Sequence, residues 1–176
     1  MTRAAAIVAM LLSLHPGMPR AQAGRYAALL APLRDAAMVV ALLEHESRWR
    51  PTAESADGED LGLGQVRARY VGACRTDPDP VANPGRECLR VREALRHGEH
   101  NLRVTIAGLT RWRKTCRTRM GRAQARDVLS GYAGLSRPPS RWCGRAFRRG
   151  RWVDLPVHPA VAEVLALRRK LLRFAR

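Results

Sequence analysis

The chain has 176 residues, 46% hydrophobic and 27% charged, enough to close one compact domain and too few for two of ordinary size. Eleven prolines, 14 glycines and no repeat at solenoid or propeller periods exclude a fibre, a repeat array and long disorder. Lys and Arg number 32 against 15 Asp and Glu, a formal net charge of +17 that concentrates polyanions at the surface and so bounds the partner, not the chemistry.

At the amino terminus Arg3 precedes a stretch, residues 4–14, that is apolar apart from Ser13. Pro16 and Pro19 break it, and Ala21-Gln22-Ala23 supplies a small-x-small cleavage site, so residues 1–23 read as a signal peptide. A membrane span needs about 20 apolar residues, roughly twice this run. Cleavage after Ala23 leaves residues 24–176 and implies a periplasmic or secreted protein.

Over residues 25–46 the apolar positions Tyr26, Leu29, Leu30, Leu33, Ala37, Val40 and Leu43 recur in steps of three and four, which predicts one long helix with a single buried face. Pro51 ends it, because the residue before a proline avoids the helical region, and Asp57-Gly58 marks a turn in a polar loop where a short hairpin fits. Further helices are expected over 86–96, 99–117, 123–132 and 159–174, the last opened by Pro159 and strongly basic.

Cys74, Cys88, Cys116 and Cys143 are even in number in a chain that reads as exported, so disulfides are the default. No pair is spaced C-x-x-C, which argues against zinc fingers and thioredoxin-like motifs. Three pairings exist on paper. The segment between Cys74 and Cys88 holds Asp77-Pro78-Asp79-Pro80 and Asn83-Pro84-Gly85, turn formers that bring its ends together, which favours Cys74 with Cys88 and leaves Cys116 with Cys143 by elimination.

Three short blocks carry the chemistry. The first runs from Glu46-Ser47-Arg48-Trp49-Arg50-Pro51 through Thr52-Ala53-Glu54-Ser55; after Gly58 comes the second, Gly62-Leu63-Gly64-Gln65-Val66; the third is Ser130-Gly131-Tyr132-Ala133-Gly134. In order and spacing they resemble the soluble lytic transglycosylase (SLT domain) family of the lysozyme-like superfamily, over residues 38–138. The resemblance implies a mainly α, α+β lysozyme-like fold for residues 24–176, with a small loop or hairpin region beside the active-site cleft. It also implies cleavage of the β-1,4 bond between N-acetylmuramic acid and N-acetylglucosamine of peptidoglycan, with Glu46 as the single catalytic acid and base and no metal or cofactor. Ser47 would bond substrate or the acid, Gln65 would bind the N-acetyl sugar or peptide, and Tyr132 would hydrogen-bond Glu46 from across the cleft. Two departures bear on the sugar contacts: Gly64 replaces the usual methionine, which would widen one wall, and the asparagine after the tyrosine is missing.

Elementary chemistry singles out Glu46 separately. Opening a glycosidic bond needs an acid that still holds its proton near neutral pH, and a carboxyl group does so only when desolvated. A helix C-terminus disfavours a carboxylate through the backbone dipole and pushes the same way. Glu44 lies two residues back, nearly on the opposite face, and is assigned to solvent. His45-Glu46 lacks the second histidine of the helical zinc motif, since Trp49 stands in its place. His97, His100 and His158 have no ligand-like spacing. A two-carboxylate mechanism would draw its second acid from Glu54, Asp57, Glu59 or Asp60, and a water held by Asp57 or Asp60 would make the enzyme a hydrolytic muramidase.

Thirty arginines against two lysines suit attraction to an anionic cell envelope, with peptidoglycan strands as the partner of a monomeric enzyme. The runs 145–151 and 168–170 suit nucleic-acid phosphates as well, a partner ranked second. An inactive basic binding module is the non-enzymatic alternative.

Overall fold

The computed structural model describes residues 1–136 and 140–175, so Arg137 and Pro138, at the end of the stretch carrying the resemblance, lie outside it. Within these bounds the chain is mainly α in the α+β class, with seven α-helices and two small antiparallel sheets. At its centre is α3 (Ala36–Ser47), where every residue from Ala36 to Leu43 is buried. A helix apolar on all sides must be surrounded, and α1 (Arg3–Leu14) and α7 (Pro159–Leu171) pack directly on it. Around that core stand α2 (Arg20–Leu30), α4 (Arg86–Leu95), α5 (Gly98–Met120) and α6 (Ala125–Tyr132).

The single helix expected over 25–46 is two. Pro32, just past the end of α2, has no N–H with which to continue the helical ladder, and Asp35 restarts the chain as an N-cap whose Oδ1 accepts from Met38 N at 3.2 Å. The apolar stripe runs unbroken across the corner, which is why periodicity hides it. The later helices fall close to expectation, the last one turning into a 3-10 segment at Leu172–Ala175.

Packing of α1 bears on the segment read as a signal peptide. Ile7, Met10 and Leu11 are buried in the main core, and Ala23, at the expected cleavage point, is buried inside α2. Cleavage at that point would have to precede folding. No helix among the described residues is long and apolar enough to cross a membrane.

Around the expected Asp57-Gly58 turn the chain closes with a single antiparallel bridge, Glu54 to Leu61, and a hairpin of β1 (Asp60–Leu61) and β2 (Val66–Arg67) follows it with its turn at 62–65, Asp60 opposite Arg67 and Leu61 opposite Val66. It covers a second, smaller core of Leu61, Val66, Ala68, Leu95 and the Cys74–Cys88 disulfide. A three-stranded antiparallel sheet, β3 (Arg141–Trp142), β4 (Arg145–Arg148) and β5 (Arg151–Asp154), stands where the sequence shows a basic run. Its strands β4 and β5 read Arg-Ala-Phe-Arg and Arg-Trp-Val-Asp, with paired apolar residues between polar ends, so no alternation marks them. Cys116–Cys143 ties this sheet to α5, so both favoured disulfides form, as suits an oxidising compartment.

Closing the loop between Cys116 and Cys143 constrains the unfolded chain by about 3–4 kcal/mol. The double variant Cys116→Ser/Cys143→Ser should lose about that much in urea unfolding at unchanged far-UV helicity; an unchanged midpoint would contradict the anchoring role assigned to this bridge.

Candidate functional site

Glu46 occupies the last turn of α3 and is half-buried. Immediately after it the backbone turns sharply, for Arg48 and Trp49 take φ of 50° and 57°, left-handed conformations that cost non-glycine residues energy. This double reversal lets Trp49 fold back under the helix, where it is 4% exposed and packs on Tyr26 at a ring separation of 5.4 Å. Gln65, in the β1–β2 turn, also has a positive φ, 46°.

Burial pushes the Glu46 carboxyl from its usual 4.5 up to about 7, and the negative charge of Asp60 adds to the shift. The other acids of the following loop are engaged elsewhere. Glu54 is held by Arg92 and Arg96 at 3.2 and 2.8 Å, Asp57 accepts from Ser55 Oγ and Glu59 N, and Glu59 pairs with Arg67 and Arg69. Asp60 is the carboxylate whose charge bears on Glu46. Arg67, its cross-strand neighbour, grips it from one side with Nε at 3.1 Å and Nη2 at 3.3 Å.

Tyr132, at the end of α6, enters from the opposite direction. Burial pushes its phenol far above the ordinary range, and the charges of Glu46 and Asp60 push it further, so it remains a donor. Its hydroxyl donates to the Gly64 carbonyl at 2.8 Å rather than to Glu46, which corrects the expected bond across the cleft. The carbonyl is the nearer acceptor because α5 draws the Gly62–Val66 segment inward. Asn101 of α5, fully buried, donates to the Leu61 and Leu95 carbonyls at 2.7 and 2.8 Å and accepts from Gly64 N at 2.8 Å.

That close approach also explains Gly64. A Cβ there would sit 2.0 Å from Thr105 Oγ1, so the glycine admits the helix and does not widen a wall. Gln65 Nε2 donates to the Gly62 and Ala53 carbonyls at 3.0 and 3.3 Å, so its amide nitrogen braces the loop. Ser47 is buried, and its hydroxyl donates to the Leu43 carbonyl at 3.2 Å within its own helix rather than to Glu46. Glu44 is not free in solvent either, since His15 Nε2 lies 2.6 Å from its Oε2. His45 faces Glu163 of α7 at 3.3 Å, away from Glu46.

The structure therefore brings Glu46, Gln65 and Tyr132 to one place, sets Ser47 aside, and adds Asp60, Arg67 and Asn101. Asn101 carried a signal, being a polar residue on the apolar stripe formed with Leu102, Thr105 and Leu109. Two cavities, of about 610 Å³ around Asp57, Glu59 and Tyr70 and about 390 Å³ beside α1 and α7, do not include Glu46. Comparison with protein-family models, with curated proteins and with solved structures finds no match to this chain, so the functional argument rests on this constellation alone.

Two outcomes follow from the electrostatics. The unfolded chain gives up the Glu46 proton near 4.5 and the folded chain near 7, so the native state binds more protons between these values and stability falls as pH rises through the window. The loss amounts to about 3 kcal/mol. Urea unfolding at pH 4 and pH 8 should show Glu46→Gln flattening this slope, and an identical slope in the variant would refute the burial of the charge. Asp60→Asn should lower the Glu46 titration point while leaving it above 4.5, because burial, the larger cause, persists; carboxyl NMR reads it directly.

A third outcome concerns the Asn101 clamp. Asn101→Ala strips three buried partners at once and should cost on the order of 3 kcal/mol or more in thermal or urea unfolding. A loss under ~1 kcal/mol would show that the loop holds its shape without it.

Proposed function

We propose that this chain is an exported peptidoglycan-cleaving glycosidase of the lysozyme-like kind, resembling lytic transglycosylases. One observation carries the reading: a carboxyl group kept protonated up to about pH 7 sits at a strained helix end, beside a braced glutamine loop and a tyrosine that stays a donor. Two disulfides suit the compartment in which peptidoglycan lies. Export through residues 1–23, with Gly24 as the first residue of the mature chain, belongs to the same proposal.

Catalysis starts with Glu46 donating its proton to the bridging oxygen as the bond from the muramoyl anomeric carbon to that oxygen opens. The N-acetylglucosamine hydroxyl leaves neutral, and the muramoyl N-acetyl group shares the positive charge left on the ring. Glu46, now a carboxylate, takes a proton from the muramoyl 6-hydroxyl, whose oxygen closes on the anomeric carbon to give the 1,6-anhydro end. Tethering favours this internal nucleophile over water. The Gln65 carbonyl oxygen is placed to accept from the N-acetyl group, and Asp60 supports the acid form of Glu46 before bond breaking.

Asp60 also favours a second reading. A carboxylate gripped by Arg67 beside the acid is the arrangement that steadies a water molecule, and water in place of the 6-hydroxyl makes the enzyme a hydrolytic muramidase.

Mass spectrometry of purified sacculi after digestion separates these outcomes. Anhydro-terminated fragments are expected from the wild type, reducing ends identify hydrolysis, and Glu46→Gln should release fragments about 10²–10⁴-fold more slowly. Absence of soluble fragments from the wild-type protein refutes the enzymatic reading.

A further inference from the structure

The basic run 145–151 has no part in the chemistry above, and its conformation is specific. It forms the hairpin β4–β5, whose apex is Arg149-Gly150 with φ of 49° and 77°, the left-handed pair of a tight two-residue turn. Arg148 stands directly opposite Arg151, a like-charge pairing that destabilises a sheet. Arg148, Arg149 and Arg151 are all exposed. The acid of this sheet, Asp154, is already taken by Arg122, Arg126 and Arg145, and none of the three apical arginines has an ionic partner among the described residues. A cluster that weakens its own fold without internal compensation is arranged for an external anion.

Next to the arginines lies an apolar platform. Phe147 pairs across the strands with Trp152, the rings meet edge to face at 5.3 Å, and Phe147 is 51% exposed. Both rings lie on one face of the ribbon behind the charged apex, while Arg148 and Arg151, one residue nearer the turn on each strand, project from the other face. A polymer passing around the tip meets both, whereas insertion into a bilayer is opposed because the apolar group must lead.

The hairpin is held rigidly relative to the site. Cys143 at the β3–β4 turn is bonded to Cys116 of α5, Leu155 N donates to the Gly144 carbonyl at 2.9 Å, and Gly144 lies so close to α6 that a Cβ would come within 2.8 Å of Ser130 Oγ. Ser130 and Tyr132 are two residues apart on α6 and therefore point to nearly opposite sides. The sheet stands across α6 from the Glu46 site, a separation on the order of one helix diameter, ~10 Å, or more. A single sugar ring cannot touch both places; a strand can.

We propose that the β4–β5 hairpin is a second binding site for the glycan strand, with the Phe147–Trp152 platform stacking on the apolar face of a sugar ring and Arg148, Arg149 and Arg151 pairing with carboxylates borne on the strand's peptide stems. Arginine suits carboxylate because its planar fork donates two parallel bonds. The identity of the strand as peptidoglycan rests on the proposed function. An oxidising compartment, marked by the two disulfides, sets the polyanions of the envelope before nucleic acid.

The test is co-sedimentation of the full chain with purified sacculi at increasing salt, using Glu46→Gln as parent so that the polymer stays intact. Adding Arg148→Ser/Arg149→Ser/Arg151→Ser should weaken binding about tenfold, and adding Phe147→Ala about fivefold. A matched control, Arg103→Ser/Arg111→Ser/Arg117→Ser, removes the same charge from the exposed face of α5 and should leave binding within about twofold of the parent. Melting temperatures within a few degrees of the parent establish that each variant is folded. Equal losses from both triple variants would reduce the effect to net charge and overturn the proposal. So would a hairpin-dependent affinity for anionic phospholipid vesicles or single-stranded DNA with sacculus binding unaltered. Because the parent lacks the catalytic acid, this assay reads the hairpin whether or not wild-type protein cleaves sacculi, and failure of one reading is distinguishable from failure of the other.

Discussion

One amide side chain sets the distances on which the candidate site depends. Asn101, buried in the first turns of α5, satisfies the carbonyls of Leu61 and Leu95 and the amide of Gly64 together, and so joins three elements that share no continuous backbone ladder. The contact requires glycine at two points. Gly62 takes φ of 73°, and a Cβ there would meet Asn101 Nδ2 at 2.2 Å; Gly64 leaves room for Thr105. With the segment drawn against α5, its Gly64 carbonyl receives the Tyr132 hydroxyl, and the next residue, Gln65, is held in a left-handed conformation. Remove the clamp, and nothing else in the hairpin is long enough to hold that geometry, since each of its strands has two residues.

Glu46 shows the opposite character. It contributes nothing to holding the fold at neutral pH and is carried at a cost, through desolvation of its carboxyl and two consecutive left-handed residues behind it. Elements around it offset that cost: α3 is buried on every side, Trp49 packs on Tyr26, and Arg92 fastens the following loop to Glu54 and to the Gly58 and Pro80 carbonyls. A rigid frame bearing one unfavourable group is the general form of a site that performs proton transfer.

The excess of arginine divides into separate roles. Arg92, Arg122, Arg145 and Arg168 are bound into ion pairs with Glu54, Asp127, Asp154 and Asp35 and belong to the architecture. Those at the β4–β5 apex are not, and their mutual repulsion is tolerated in a hairpin held at its base by a disulfide. Net charge taken over the whole chain conceals this division, because a paired arginine and an unpaired one count alike.

Much of the architecture was legible in order along the chain. Apolar periodicity marks the later helices, turn formers between Cys74 and Cys88 mark that disulfide, and Asp57-Gly58 marks the turn closed by Glu54 and Leu61, all being local effects with a local cause. Glu46 is legible as a candidate because a helix end and its neighbours are adjacent in sequence. The corner at Pro32 was missed because a buried stripe continues through it, and the strands of 141–154 because their apolar residues come in adjacent pairs and show no alternation. Which groups face Glu46 was decided only when the helices packed: Ser47 turned inward to the Leu43 carbonyl, Tyr132 chose Gly64, and Asp60, unremarkable among four acids, became the charge that bears on the acid. The sequence determines which segments are helical and which residue types are present to do chemistry, because those follow from contacts within a few residues. Burial, pairing and pKa arise between residues far apart along the chain, and for that reason only the tertiary structure settles them.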